Sequence, residues 1–204
     1  MLRYMLGIFS QNLELGILLI VALIVSLSFH EFSHALVSDK LGDPTAKNMG
    51  RLTLNPLAHL DPLGTLFLII VGFGWGRPVP FNPLNLKNPR RDAALISLAG
   101  PVSNFVLAIF TASLIKVLGV GGVFGDFLYL VVLYNLTLGI FNLIPIGPLD
   151  GNKIVFGFLP MNLALQWQEI QRYGMFILLL LVLTNATSAI LSPLVGISMK
   201  LLGL

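Results

Sequence analysis

The residues able to do chemistry stand close together in His30-Glu31-Phe32-Ser33-His34. Four positions apart on a helix, the two imidazoles lie one turn apart on the same face and can converge on a single ion. Glu31 then projects beside them toward a bound water. The chain holds only three histidines, so two of them in this spacing is a specific signal. The triad follows Leu13 to Phe29, seventeen largely apolar residues, and ionisable groups at membrane depth are costly and mark function. Two histidines leave a catalytic metal one protein ligand short, because such sites usually take three protein groups and keep a position for water. With no cysteine in the chain, the candidates are His59 and a carboxylate at the membrane boundary. Asp150 is the better one. It closes the stretch Asn142-Leu-Ile-Pro-Ile-Gly-Pro-Leu-Asp-Gly151, where prolines break the preceding helix and can aim a carboxylate back at it.

The elements that must position these groups are membrane helices. Of 204 residues, 56% are hydrophobic and 10% charged, with a mean hydropathy of +0.90, whereas a soluble domain carries about 25% charged residues. A net charge of +3 with scattered basic residues gives no reason to expect a nucleic-acid partner. The absence of cysteine excludes disulfides, thiolate nucleophiles and Cys-ligated metal. Apolar runs at Leu13 to Phe29, Ala93 to Leu118, Phe127 to Ile146, Tyr173 to Thr184 and Ala186 to Leu204 predict an all-α polytopic membrane protein with five or six transmembrane helices. The first is expected to be retained rather than removed as a signal peptide. Thr184 to Ser188 reads as a polar turn between two helices, with one long broken helix as the alternative. The whole chain, 1–204, is expected to form a single membrane-embedded domain.

Pro62 to Trp75 is apolar over only about a dozen residues, the length of a re-entrant segment. Charge supports that reading. If it dips and returns, Lys40, Lys47, Arg51, Arg77, Lys87, Arg90, Arg91, Lys153, Arg172 and Lys200 all lie inside and only Arg3 and Lys116 outside, as the positive-inside rule requires. That gives five crossings, the N-terminus outside and the C-terminus inside, with the HExxH and Asp150 ends together on the cytoplasmic side. The glycines in Gly72 to Gly76 suit a tight reversal, and short edge strands are expected around residues 50–82.

With these residues in place, the chain resembles the site-2 protease family of intramembrane zinc metalloproteases. The likeness rests on HEFSH, on Asn142 to Gly151, and on Ala99-Gly-Pro-Val-Ser-Asn104 opening a helix between them. It is to the short prokaryotic form without PDZ or CBS domains. Position 147 is Gly where many relatives have Pro. The resemblance implies Zn2+ held by His30, His34 and Asp150, with Glu31 as base toward the zinc-bound water and proton donor to the leaving amine. It matches Asn142 to an asparagine that contacts the substrate backbone. Asn104 is a second candidate for substrate binding or for holding the site, and fits an interhelical structural hydrogen bond equally well.

The expected activity is hydrolysis of a peptide bond in or near a transmembrane segment of another membrane protein, in contact with membrane lipid and in a prokaryotic cell membrane. A metal-ion transporter also suits buried His and Asp, and a non-catalytic relative that binds transmembrane helices is a further alternative. Glu31 separates them, since only the peptidase needs it for chemistry. His59 is expected to be a polar loop residue, Asp61 a helix N-cap before Pro62, and Trp75 and Trp167 interfacial anchors.

Overall fold

The computed structural model describes residues 12–71 and 74–204. Its described residues are helical: α1 (Leu13–Lys40), α2 (Thr45–Asn48), α3 (Pro62–Val71), α4 (Pro89–Leu118), α5 (Gly122–Asn142), α6 (Asp150–Phe158), α7 (Met161–Gln171), α8 (Gly174–Leu183) and α9 (Ala186–Leu201), with single 3-10 turns at Pro56–Ala58 and Pro83–Asn85. Three of these helices, α1, α4 and α5, are long and apolar enough to cross a membrane. Asn12 starts α1 by accepting from the Leu15 amide. Pro89 stands in the first turn of α4, where its missing N–H costs nothing.

The helices are inside out relative to a water-soluble bundle. The buried residues of α1 are small or polar, among them Gly16, Ala22, Ser26, His30, Glu31, His34 and Ser38, while Leu13, Ile17 and Val21 are exposed. Likewise α4 buries Ser97, Gly100, Asn104, Ala108 and Ala112 and exposes Val102, Val106, Ile109 and Phe110. Lipid is as apolar as leucine, so close packing of small side chains and internal polar bonds hold such helices together. Helix α4 is central and packs on α1, α5 and α6. Ala108 and Ala112 meet Val132 and Leu136 of α5 and Val195 and Met199 of α9.

Several expectations require correction. The first helix runs past the apolar stretch and HExxH to Lys40, so both histidines sit on a complete helical face. No strand forms among the described residues around 50–82. The extended contact there is a single antiparallel bridge between Leu60 and Gly76, beside a bond from the Arg77 amide to His59 O (2.8 Å). Pro78 and Pro80 lack the amides a ladder needs, and buried Arg51 takes the carbonyls of Arg77 and Pro78 instead. The bridge joins the two ends of the 61–75 segment, so the chain leaves and returns at one place. The ten residues of α3 cover only about 15 Å, half a hydrocarbon core. Gly72 and Phe73 of the expected hinge, and Arg3, lie outside the described residues.

Among the described residues the count of five or six spans is not reached. Helices α8 and α9 join at a 78° bend, and counting the pair as one broken span gives up to four. The break falls at Asn185, whose φ of 63° is left-handed, a conformation asparagine tolerates better than most residues. The pair begins against the turn before Asp150, where Gly174 abuts Gly147, and ends where Gly203 lies against the Lys116 ammonium. The C-terminus is therefore at the end of the bundle opposite HExxH, and Lys200 belongs with Lys116 rather than with the other nine basic residues.

Candidate metal centre

Three donor atoms converge between α1 and the start of α6. His30 Nε2 and His34 Nε2 are 3.0 Å apart, and Asp150 Oδ2 stands 3.1 Å from the first and 3.2 Å from the second. Among the described residues this is the group of three able to hold a metal ion. Asp150 arrives because the Leu143 to Leu149 turn ends α5 and starts α6 at the aspartate itself.

The protons of both imidazoles are committed elsewhere. His34 Nδ1 lies 2.7 Å from Ile96 O, which can only accept, so Nδ1 carries the hydrogen. Pro101 has no amide for the Ser97 carbonyl one turn back, which opens the ladder of α4 in this region. His30 Nδ1 lies 2.6 Å from Asn104 Oδ1. The orientation of that amide follows from its other end: Asn104 Nδ2 donates to Ser26 O and to Asn135 Oδ1, while Asn135 Nδ2 donates to Val131 O and Ser26 Oγ. Backbone carbonyls thus set the whole chain of bonds, and His30 Nδ1 is a donor as well. Both Nε2 atoms are left as bare lone pairs turned toward a carboxylate oxygen. Three acceptors this close repel one another unless a cation lies among them.

The donor set fits a tetrahedral metal. Arms of about 2.0–2.1 Å correspond to edges of roughly 3.3–3.4 Å, close to the observed triangle. Gly100 completes the fit, since a Cβ there would stand 2.5 Å from both His30 Cε1 and His34 Nε2.

Glu31 is buried beside the triangle, and its Oε2 has no hydrogen-bond partner among the described residues. It faces a cleft of about 120 Å³ lined also by Pro78, Val79, Asn142, Pro148 and Lys153. Burial lowers the Arg51 guanidinium from its usual value, an effect opposed by the nearby Glu31 charge. A carboxylate with a free oxygen, next to a site for a cation and open to a water-sized cleft, can accept a proton from water.

The structure brings His30, Glu31, His34, Asp150 and Asn142 to one cleft. Asn142 lines the cleft and donates to Leu138 O. Asn104 is fully buried and touches His30 rather than open space. His59 is buried apart from the centre, with Nε2 on Thr53 O. Asp61 caps α3 by accepting from Gly64 N. Trp167 is tied to Asn152 of α6 by its indole N–H, rather than simply standing at an interface. Sequence reasoning missed Asn135 and Ser26. A lone asparagine within an apolar span was the available signal for the first; the Ile96 carbonyl gave none, because every residue has one.

A bundle of apolar helices closed around two histidines, an aspartate and an unpartnered glutamate defines a membrane metallopeptidase. The chain belongs to peptidase family M50, whose model matches residues 18–184. It is 40% identical to YwhC of Bacillus subtilis over 187 residues, covering 87% of this chain and 85% of that one. It is 32% identical to Rip2 of Mycolicibacterium smegmatis over 83% of this chain and 68% of that one. Identity to MJ0392 of Methanocaldococcus jannaschii is 28%, over 67% and 33% of the two chains. The words zinc metalloprotease stand in the names of all three. No solved structure matches.

Proposed function

We propose that the protein is an intramembrane zinc endopeptidase that cleaves a peptide bond in or near a transmembrane segment of a substrate protein. The observation that carries this reading is the triangle of bare donors at His30, His34 and Asp150 with the unpartnered Glu31 oxygen beside it. Zinc in that triangle would lower the pKa of a water and polarise the scissile carbonyl. Glu31 accepts the proton of the attacking water and returns it to the leaving amine. Asn142 pairs with main-chain groups that an unwound substrate leaves open, groups costly to bury unpaired. Beside the cleft, Val79 keeps main-chain groups that neither Arg51 nor His59 takes, and these can pair with the substrate backbone. Nine basic residues, from Lys40 to Arg172, cluster at the site's end of the bundle, which supports a site facing the cytoplasm of a prokaryotic cell.

The test is co-expression of wild type and Glu31→Gln, with mass spectrometry of membrane-protein fragments and zinc analysis of the purified proteins. The variant is expected to keep about one zinc and to lose cleavage by at least about 10²-fold. Metal flux without any Glu31-dependent fragment would establish a transporter instead.

A further inference from the structure

A second cavity, of about 850 Å³, opens next to the catalytic cleft, and Phe81 and Lys153 line both. Its walls carry three cations, Arg90, Lys153 and Arg172, against a single carboxylate, Glu169. None of the three is ion-paired among the described residues. Arg90 donates only to the Phe156 and Leu159 carbonyls and Met161 sulfur, with its buried Nε unpartnered. Lys153 sits over the Phe81 ring, 5.4 Å from its centroid. The cavity is thus a concave site of net positive charge beside the cleft of Glu31 and Asp150, with Phe81 and Lys153 between the two.

We propose that this vestibule binds an acidic side chain of the substrate polypeptide and so sets where the chain is cut. This rests on the peptidase reading above and names the substrate feature it recognises. A peptide suits the vestibule better than a lipid headgroup. The shared walls set it beside the cleft, and Gln168, with no side-chain hydrogen bond among the described residues, presents both a donor and an acceptor. A peptide backbone uses both, whereas a phosphodiester has only acceptors. Lys153 is one turn beyond Asp150 on α6, and Phe156 a further turn, about 4–9 Å along the axis. At about 3.3 Å per extended residue, the acidic residue lies within roughly three positions of the cut.

The experiment uses zinc-loaded Glu31→Gln protein in detergent micelles, so that binding is read without turnover. The probes are fluorescent peptides of one apolar sequence carrying Glu at successive positions, each with its Gln twin. At one position the Glu peptide is expected to bind about tenfold more tightly than its twin, the scale of one charge-assisted bond. That ratio falls to about one when Arg172→Gln is added and returns with Arg172→Lys. Equal binding of the twins, or a ratio unchanged by Arg172→Gln, overturns the proposal. So does loss of the ratio when phosphatidylglycerol is added, which assigns the vestibule to lipid. If the ratio and its dependence on Arg172 hold while wild type cuts no peptide or membrane protein, the acidic-residue site stands and the peptidase reading fails.

Discussion

At the scale of single residues, the centre depends on groups that never touch a substrate. Asn135 is fully buried and holds the Asn104 amide, which in turn holds His30 Nδ1. Loss of such an outer partner typically weakens metal binding by about 10–100-fold. Asn135→Ala should therefore raise the zinc dissociation constant by that factor in a chelator competition, while Glu31→Gln leaves it nearly unchanged. Gly100→Ala is expected to be harsher, because the new methyl occupies the space of both imidazoles. Purified Gly100→Ala protein should contain well under one zinc, and near-stoichiometric zinc would show that α4 can retreat from α1. Of this centre, His30, Glu31 and His34 were legible because their chemistry is rare and their geometry is local to one helix. Asp150 was legible through the side of the membrane to which the charges assigned it. The Ile96 carbonyl and Gly100 were not, because backbone acceptance and close approach depend on which helix comes alongside.

At the scale of elements, the polar ends are bound by side chains rather than by strands. Asp43 is buried and accepts from Ser38, from Thr45 twice, from Asn82 N and from Asn85, linking α1, α2 and the turn before α4. Burial opposes its ionisation, yet these donors prevail and hold the carboxyl at about 2. A folded value below the unfolded one stabilises the protein at pH above about 4, and that contribution fades as pH falls toward 2. Asp43→Asn, which turns an NH2 toward the same donors, should lower the apparent Tm at pH 7, and the gap to wild type should shrink at pH 3. A constant gap would mean that shape rather than charge matters here. The expected edge strands failed for a related reason. Alternation and extended prolines suggest a strand, but a strand also needs a neighbour with free amides, and Arg51 had already taken the carbonyls. Fragment-level patterning does not reveal that competitor, which lies 26 residues away from Arg77.

At the scale of the molecule, hydropathy located the helices but not their number of crossings. Helices α8 and α9 each look like a span in the sequence, whereas the left-handed Asn185 and the 78° bend join them as one bent pair. Lys116 and the C-terminus then lie at the same end of the bundle. The chain has no cysteine, so single cysteines report sidedness cleanly. In intact cells, Lys116→Cys should react with a membrane-impermeant maleimide and Lys87→Cys should not, with Lys200→Cys following Lys116. If Lys200→Cys instead sides with Lys87→Cys, the last two helices cross separately.

The two histidines and Asp150 are separated by well over a hundred residues of chain, yet they meet at one point with nothing but mutual repulsion between their bare lone pairs. An ion placed there would fasten the first helix to the short helix that Asp150 begins, closing most of the sequence into a single loop. Starvation for zinc would then act on the fold itself as well as on turnover. The short helix would loosen from the bundle, and cellular quality control would be expected to clear the protein before any metal could return.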